Sequence, residues 1–241
     1  MTKIKDTRDK FARFKDSEWF GTPIEVVIGG VGGIGSWLSV LLARTGEHTI
    51  AIYDMDTVES TNMAGQFYVE SDIGKTKVEA VKDHIINMAG TDCQVFAIND
   101  KITEDTPGEP IMISCFDNME ARKNMFNAWK NLKTDKPKLY IDGRMNAENF
   151  QMFMVTPDRI DAYEEHLFSD ADVEDLSCTY KATSHTAAML AAKMVTGLTN
   201  WISNLNHDND VRSIPFKYDF DMQFLMETVY DHETRNTIKT Q

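Results

Sequence analysis

The sequence predicts an α/β fold, with a doubly wound, mostly parallel sheet that carries helices on both of its faces. Three observations predict this class. Short runs of β-branched and aromatic residues alternate with runs whose apolar residues recur at helical spacing. A glycine-rich turn separates the first such strand from the first such helix. Parallel strands need crossover connections, and the alternating helices provide them.

The first half of the chain alternates strands and helices. Residues 24–30 form a predicted buried strand that ends in glycine, and the apolar residues of 35–45 recur at helical spacing. A second strand is predicted over 48–54, where it ends on an acid. A long linker and an amphipathic helix over 75–89 follow, and then a strand near 93–99. This half therefore predicts two consecutive strand–helix–strand units.

The second half continues the same pattern as far as its last helix. Predicted strands lie at 111–117, 138–143 and 149–156, and predicted helices lie at 118–132 and 183–205. In the tail, 214–231, aromatic residues at a spacing of two indicate a final strand or a hairpin.

Length and composition predict one domain with short appendages. With 241 residues, of which 42% are hydrophobic, the chain can bury one large core. We expect a charged N-terminal segment over 1–23 and the α/β domain over 24–205. A C-terminal strand or tail over 206–241 is expected to pack on the same domain.

Charge and hydropathy exclude several classes of protein. A formal net charge of −13 argues against a nucleic-acid partner, because phosphate contacts need clustered Lys and Arg. No uncharged apolar run is long enough to cross a bilayer, and the charged N-terminus lacks the apolar core of a secretory signal. We therefore expect a cytoplasmic protein without a membrane partner. The acidic stretch 158–175 is either a solvated loop or a lid or docking surface for a basic partner.

Cysteine usage excludes two further kinds of structure. The chain has Cys93, Cys115 and Cys178 and no C-x-x-C pair. This pattern excludes a disulfide framework and a four-cysteine zinc site. Cys115 lies inside an apolar strand, so we expect it in the core.

The glycine-rich turn has the pattern and position of a dinucleotide-binding fingerprint. In the register Gly30-Val31-Gly32-Gly33-Ile34-Gly35, Gly30 permits the tight turn and Gly32 lets backbone approach a phosphate. Gly35 lets the helix pack against the strand, and the amide groups that open the helix attract the anion. Asp54 ends the next strand, at the position where an acidic side chain typically forms a hydrogen bond with a ribose hydroxyl. This predicts a Rossmann-like unit that binds a nucleotide.

The turn alone does not decide which nucleotide is bound, since NAD and ATP sites share it. A P-loop is excluded. Residues 74–76 read Gly-Lys-Thr, but the leading glycine of that motif would have to stand where the chain has Val69.

Two further stretches resemble the family of ThiF, MoeB and the ubiquitin-activating enzymes. Residues 54–80 match its D-x-D-x-V-x-x-S/T-N-x-x-x-Q pattern, which is followed by D-x-G-x-x-K. Residues 114–118, with Arg122 and Asn124, are similar to its D-N-x-x-x-R pattern after a strand. The resemblance spans about 24–205, and its specificity comes from the order and spacing of these pieces together.

The resemblance implies an adenylyltransferase that uses ATP and Mg²⁺ to activate a carboxylate as an acyl-adenylate. The implied substrate is the C-terminus of a small ubiquitin-like or sulfur-carrier protein, and the implied assembly is a homodimer. The roles carried over by position are the ribose contact for Asp54, the phosphate pocket for Asn62 and Gln66, the triphosphate for Lys77 and the metal for Asp117. The alternatives are that Lys77 is an exposed residue of its amphipathic helix and that Asp117 caps the helix that follows it. Asp56 lies in the same nucleotide-binding stretch, where we expect it to order the loop rather than to touch the nucleotide.

The chain departs from the family's pattern at several places. Most members carry an arginine before the glutamine of the N-x-x-R-Q stretch, and here that place is Gly65. Lys75, Arg13 or Arg144 would have to replace the missing guanidinium. The zinc-binding cysteine pairs of several relatives are absent. Cys178 precedes the last helix, where some relatives carry a cysteine that accepts the acyl group. It is either such a nucleophile or a buried small hydrophobe.

Two other functions stay open at this point. A non-catalytic relative that binds nucleotide and acts as an interaction module would explain Gly65 and the absent zinc pairs. An NAD-dependent oxidoreductase would share the glycine turn and Asp54, but it leaves the pattern of 54–80 unexplained.

Overall fold

One sheet organises the described part of the chain. The computed structural model describes residues 10–168, 183–207 and 211–231, and the backbone of 237–239. Nine strands lie within these residues. They are β1 (Glu25–Gly29), β2 (Thr49–Tyr53), β3 (Gln94–Ile98), β4 (Ile111–Ser114), β5 (Leu139–Asn146), β6 (Asn149–Val155), β7 (Lys217–Asp221), β8 (Met226–Tyr230) and β9 (Thr237–Lys239).

The strand order is β3-β2-β1-β4-β5-β6-β7-β8-β9. The first five strands in this order are parallel, and the register pairs Val26 of β1 with Ile50 of β2 and with Ile111 of β4. From β5 onward each strand joins its neighbour in the antiparallel sense. The chain leaves β1 toward β2 on one side and later returns to β4 on the other, which leaves a crevice at the carboxyl ends of these strands.

Helices cover both faces of the sheet, because the strands of its parallel part are apolar on both sides. The helices are α1 (Gly33–Ala43), α2 (Lys77–Ala89), α3 (Met119–Asn131), α4 (Ile160–Glu164) and α5 (Ser184–Leu205). Val26 and Ile28 share a core with α1, α2 and α5, whereas Val27 belongs to a second core with α3 and α4. The doubly wound, mostly parallel α/β fold predicted from the sequence is thus confirmed.

Several predicted boundaries need correction. The first helix begins at Gly33 rather than at Gly35, because the glycine turn winds directly into it. The helix predicted from residue 75 begins at Lys77, since the Thr76 hydroxyl accepts a hydrogen bond from the Glu79 amide and caps it. Of the two alternatives predicted for the tail, a final strand or a hairpin, the structure has the hairpin, β7–β8.

The helices of the described residues give no candidate for a membrane span, since none is both long enough and apolar enough. The cytoplasmic location stays a prediction.

Candidate functional site

A cavity of about 510 Å³ lies where β1, β2, β3 and β4 end. It occupies the crevice beside the topological switch point, the place where open α/β sheets bind ligands. Its walls are the turn after each of these strands and the first turns of α2 and α3. The lining residues include Gly30, Gly32, Gly33, Asp54, Asp56, Gln66, Lys77, Asp100, Lys101, Ile102, Thr103, Cys115, Phe116, Asp117, Asn118, Glu120 and Asn124.

The turn between β1 and α1 requires glycine at two positions. Gly30 has a φ of +81°, a conformation that side chains rarely adopt. A Cβ at Gly35 would lie 1.9 Å from the Gly30 carbonyl oxygen, so only glycine lets α1 come this close to the strand end. The fingerprint therefore specifies the local path of the chain as well as a binding surface.

The N-terminus of α1 opens onto the cavity. No side chain caps its first turn, and no acidic residue lies in that turn. Gly32 and Gly33 line the cavity at this point. The first amide groups of a helix lack partners within the helix, and the helix dipole adds positive potential. Together they form a binding surface suited to an anion.

Asp54 stands opposite this turn, at the end of β2. Its carboxylate accepts hydrogen bonds from the Val31 amide at 2.8 Å and from the Asp56 amide at 2.9 Å. Burial raises the pKa of Asp54, while these two hydrogen bonds and the nearby Lys77 ammonium group lower it again. The carboxylate therefore ties the glycine turn to the β2 turn and still faces the cavity.

Lys77 and Asp56 form an ion pair in the cavity wall. The Lys77 ammonium nitrogen lies 2.6 Å from an Asp56 carboxylate oxygen, and 9% of the lysine side chain is exposed against 55% of the aspartate. The Lys77 amide also donates to the Asp56 carbonyl oxygen at 2.9 Å. The first residue of α2 is thus anchored beside the end of β2.

Gln66 and Asn62 differ in their positions. Gln66 lines the cavity, and its side-chain oxygen is buried without a hydrogen-bond partner among the described residues. Asn62 lies outside the cavity lining, and its side-chain oxygen accepts a hydrogen bond from the Glu59 amide at 2.9 Å. Gln66 therefore lies in the cavity wall with the other predicted residues. Asn62 lies outside it and orders the loop that precedes it.

Asp117 and Asn118 follow β4 at the far wall of the cavity. The Asn118 side chain accepts a hydrogen bond from the Ala121 amide at 2.8 Å and caps α3. Asp117 is exposed and does not serve as that cap. Its carboxylate could therefore bind a metal ion at the cavity.

The buried side chain of Arg122 supports the turn that contains Asp117. The Arg122 guanidinium donates to the Phe116 carbonyl oxygen at 2.6 Å and to the Asp142 carboxylate at 2.7 Å. Asp142 is fully buried and also accepts from Arg144 and from the Tyr163 hydroxyl. The arginine of the D-N-x-x-x-R pattern thus holds the backbone immediately before Asp117.

Metal ligands supplied by the protein are few here. Among the residues that the structure describes, no group of three or more His, Cys, Asp or Glu side chains could hold a metal ion. Magnesium often takes only one or two protein carboxylates and completes its shell with water and phosphate oxygens. Asp117 is compatible with that mode of binding.

Sequence reasoning missed the loop that follows β3. Asp100, Lys101, Ile102 and Thr103 all line the cavity. No motif marks them, but they come directly after a strand of the parallel sheet. Because the carboxyl ends of parallel strands share one edge, that position could have identified them.

The proposed replacements for the missing arginine lie outside the cavity lining. The Lys75 ammonium group lies 3.2 Å from Asp72 and 3.1 Å from Asp83. Arg144 binds Asp142 at 2.7 Å, and Arg13 is exposed in the N-terminal segment.

Among the described residues, the free cysteines Cys93 and Cys115 are buried and offer no reactive thiol to the site. Cys115 is buried just after β4, as expected for a core residue, and burial raises the pKa of its thiol well above the usual range. Cys178 lies outside the described residues, so its predicted role as an acyl acceptor stays a prediction.

Comparison with known proteins identifies a family. The sequence profile of the ThiF family matches residues 22–236. Ubiquitin-like modifier-activating enzyme 5 of Caenorhabditis elegans is 34% identical over 113 residues, which cover 40% of this chain and 27% of that protein. The tRNA threonylcarbamoyladenosine dehydratase of Escherichia coli K12 is 36% identical over 81 residues, which cover 33% of this chain and 30% of the enzyme.

The structural comparison agrees with this at the level of the fold. The structure of E. coli MccB with ATP superposes with a TM-score of 0.64 at 19% identity, over 86% of this chain and 63% of MccB. The chain spans about a third or less of the length of the curated relatives it matches.

Proposed function

Because the chain belongs to the ThiF family, we propose that it is an ATP-dependent adenylyltransferase that activates the C-terminal carboxylate of a small ubiquitin-like or sulfur-carrier protein. The products are an acyl-adenylate and pyrophosphate. The observation that carries the proposal is the meeting of four features in one cavity. These are the glycine turn with its uncapped helix, Asp54, Lys77 and Asp117.

The residues present fit ATP and Mg²⁺. The cavity volume of about 510 Å³ suits a nucleotide-sized molecule. The uncapped start of α1 suits a phosphate group, and the side chain of Gln66 lines the same cavity. Asp54 provides a carboxylate at the strand end where a ribose binds. Asp117 would hold Mg²⁺.

The chemistry explains why these residue types are needed. The attacking carboxylate is an anion that approaches the α-phosphate, which is itself negative, so the site must supply cations and fixed dipoles where charge accumulates. Bound ATP supplies the adenylyl group and the pyrophosphate leaving group. The amides of Gly32 and Gly33 orient the phosphates, and Lys77 offsets their charge. A carboxylate is already ionised at neutral pH, so no general base is required.

The carboxylate donor is proposed from the names of the relatives and from the charge of the chain. One relative is named for activating a ubiquitin-like modifier, and the other for acting on a modified nucleoside of tRNA. The net charge of −13 disfavours a polyanionic partner such as tRNA. We therefore propose a protein carrier, together with the homodimer and the acyl-accepting role of Cys178 that the family resemblance implies.

The proposal is tested by isotope exchange between pyrophosphate and ATP. The chain is incubated with Mg²⁺, ATP, labelled pyrophosphate and, in turn, each member of a panel of ubiquitin-like and sulfur-carrier proteins with a free C-terminal glycine. We expect carrier-dependent exchange, which Asp117→Ala abolishes. Asp135→Ala is the matched control, because Asp135 is exposed and lies outside the cavity lining. Exchange that survives Asp117→Ala would contradict the assignment of the metal residue.

A second candidate is a nucleotide-binding interaction module. Gly65 favours it, because the position offers no charge to a triphosphate. In that case the chain binds ATP tightly and gives no exchange with any carrier. An NAD-dependent oxidoreductase would instead be stabilised against heat by NAD and not by ATP.

A further inference from the structure

We propose that Tyr68 is a positioning residue for the phosphate-binding surface, because its hydroxyl fixes the direction of the peptide unit between Val31 and Gly32. The Tyr68 hydroxyl donates a hydrogen bond to the Val31 carbonyl oxygen at 2.5 Å. This role rests on the proposed function and extends it to a residue that lies outside the cavity lining and that no motif marks.

The geometry of a peptide unit connects this hydrogen bond to the cavity. The Val31 carbonyl and the Gly32 amide belong to one planar unit, in which the C=O and N–H bonds point in opposite directions. Tyr68 is buried in the core, whereas Gly32 lines the cavity. A carbonyl that is held toward the core leaves the Gly32 N–H directed toward the cavity. That is the side from which the proposed nucleotide brings a phosphate to the start of α1.

Val31 is held at both of its peptide groups. Its amide donates to the Asp54 carboxylate at 2.8 Å, and its carbonyl accepts from the Tyr68 hydroxyl. The Val31 side chain is fully buried, which leaves the residue little room to rotate. An amide that already points at its ligand binds it without the cost of reorientation. The two hydrogen bonds therefore preorganise the turn before a nucleotide arrives.

The segment that carries Tyr68 is itself fastened to α1. The Phe67 amide donates to the Ser36 hydroxyl oxygen at 2.9 Å, and the Phe67 ring packs against Trp37 with 4.6 Å between the ring centroids. Ser36 is fully buried in α1. The Tyr68 hydroxyl therefore reaches the turn from a backbone that is held in place.

The hydroxyl of Tyr68 stays protonated and so remains a donor. Burial, with the carboxylates of Asp54 and Asp72 nearby, raises the pKa of Tyr68 well above its usual range. A phenylalanine would fill the same space in the core, because only the hydroxyl of the side chain bonds to the turn. Tyr68→Phe therefore removes this contact with little change in packing.

The test removes that hydroxyl and measures a nucleoside and a nucleotide separately. Binding of ATP with Mg²⁺ and of adenosine is measured by calorimetry for the wild-type chain, Tyr68→Phe and Tyr218→Phe. Tyr218 is the matched control, because it is buried outside the cavity lining and its hydroxyl donates to Glu227. We expect Tyr68→Phe to weaken ATP binding about fivefold and adenosine binding by less than about twofold. Tyr218→Phe should leave both affinities unchanged.

A second measurement uses the wild-type chain, so it does not depend on the folding of Tyr68→Phe. The chain is labelled with ¹⁵N-glycine, and the Gly32 amide resonance is assigned by its absence from the spectrum of Gly32→Ala. We expect ATP with Mg²⁺ to shift this resonance clearly and adenosine to shift it much less, because only ATP brings a phosphate to the amide.

The outcomes separate this role from the proposed function. If the wild-type chain binds ATP and Tyr68→Phe binds it as tightly as Tyr218→Phe does, the role of Tyr68 is wrong and the proposed function stands. Equal losses of affinity for ATP and adenosine would show that the hydroxyl only supports the turn as a whole, and a Gly32 resonance that bound ATP leaves in place would also overturn the role. If the wild-type chain binds no ATP in the presence of Mg²⁺, the proposed function fails and this role fails with it.

Discussion

Two glycines of the same turn should respond to alanine in opposite ways. Gly32 and Gly35 both belong to the fingerprint, but their surroundings differ. A Cβ at Gly32 would have the Gln66 side-chain oxygen at 3.9 Å as its nearest neighbour, which is an ordinary contact. A Cβ at Gly35 would lie 1.9 Å from the Gly30 carbonyl oxygen and 2.9 Å from its carbon. Gly32→Ala should therefore affect ligand binding, and Gly35→Ala should affect folding.

The magnitudes follow from these distances. Overpacking costs about 1–3 kcal/mol, and a clash with backbone atoms belongs at the upper end of that range. The better helix propensity of alanine returns about 1 kcal/mol. We expect Gly35→Ala to lower the free energy of unfolding by about 2 kcal/mol. Gly32→Ala should lower the free energy of unfolding by less than about 1 kcal/mol, because Gly32 is the N-cap of α1 and alanine is a poorer N-cap residue than glycine.

The two substitutions should affect ATP binding in the reverse order, with the larger loss of affinity in Gly32→Ala. The methyl group of Gly32→Ala would stand where the proposed nucleotide brings a phosphate against the backbone. We expect its affinity for ATP with Mg²⁺ to fall by at least about tenfold, which corresponds to about 1.4 kcal/mol. The folded fraction of Gly35→Ala should bind more nearly as the wild type does.

Urea unfolding followed by tryptophan fluorescence gives the free energies, and calorimetry gives the affinities. The reasoning is refuted if Gly32→Ala binds ATP as tightly as the wild type, or if Gly35→Ala is as stable as the wild type.

Two further predictions concern a buried histidine and Asp54, the carboxylate that we propose contacts the ribose. Burial lowers the pKa of His48 to about 4, so the unfolded chain takes up a proton at higher pH than the folded chain does. The free energy of unfolding should fall as the pH drops from about 6.5 toward 4, by about 2 kcal/mol between pH 7 and 5 from this group. His48→Gln should flatten that part of the urea-unfolding profile, and an unchanged slope would contradict the assignment. Asp54→Asn should weaken ATP binding about tenfold but leave the binding of 2′,3′-dideoxy-ATP nearly unchanged, since only ATP has ribose hydroxyls for the carboxylate to bind. Equal losses for the two nucleotides, measured by calorimetry, would show that Asp54 acts only by holding the glycine turn.

Local patterns predicted much of the nucleotide site. The glycine fingerprint identified the turn between β1 and α1, and its spacing to Asp54 identified the next strand end. Strand ends of a parallel sheet meet at one edge, so residues that follow such ends come together with little further information. The family resemblance pointed to Asp117, which follows β4 and lines the cavity in the structure.

Other features were beyond the patterns because they depend on where each side chain is directed in the folded chain. Lys75 and Lys77 are two residues apart in the sequence, yet Lys75 pairs with Asp72 and Asp83, and Lys77 pairs with Asp56 in the cavity wall. Lys75 precedes α2 and Lys77 is its first residue. The Thr76 cap sets where the helix begins, and so it decides the direction of both lysine side chains.

The sequence by itself determined the α/β class, the glycine turn and the strand ends that carry the site. These depend on local periodicity and on backbone conformations that only glycine permits. The tertiary structure alone decided that the loop after β3, residues 100–103, joins the cavity, that Arg144 is bound to buried Asp142 and that β6 to β9 extend the sheet in the antiparallel sense. The place of the loop and the pairing of β6 with β7 depend on contacts between residues far apart in the chain, and the burial of Asp142 depends on the packing around it. The free energy of these contacts comes from burial and charge that no local pattern contains.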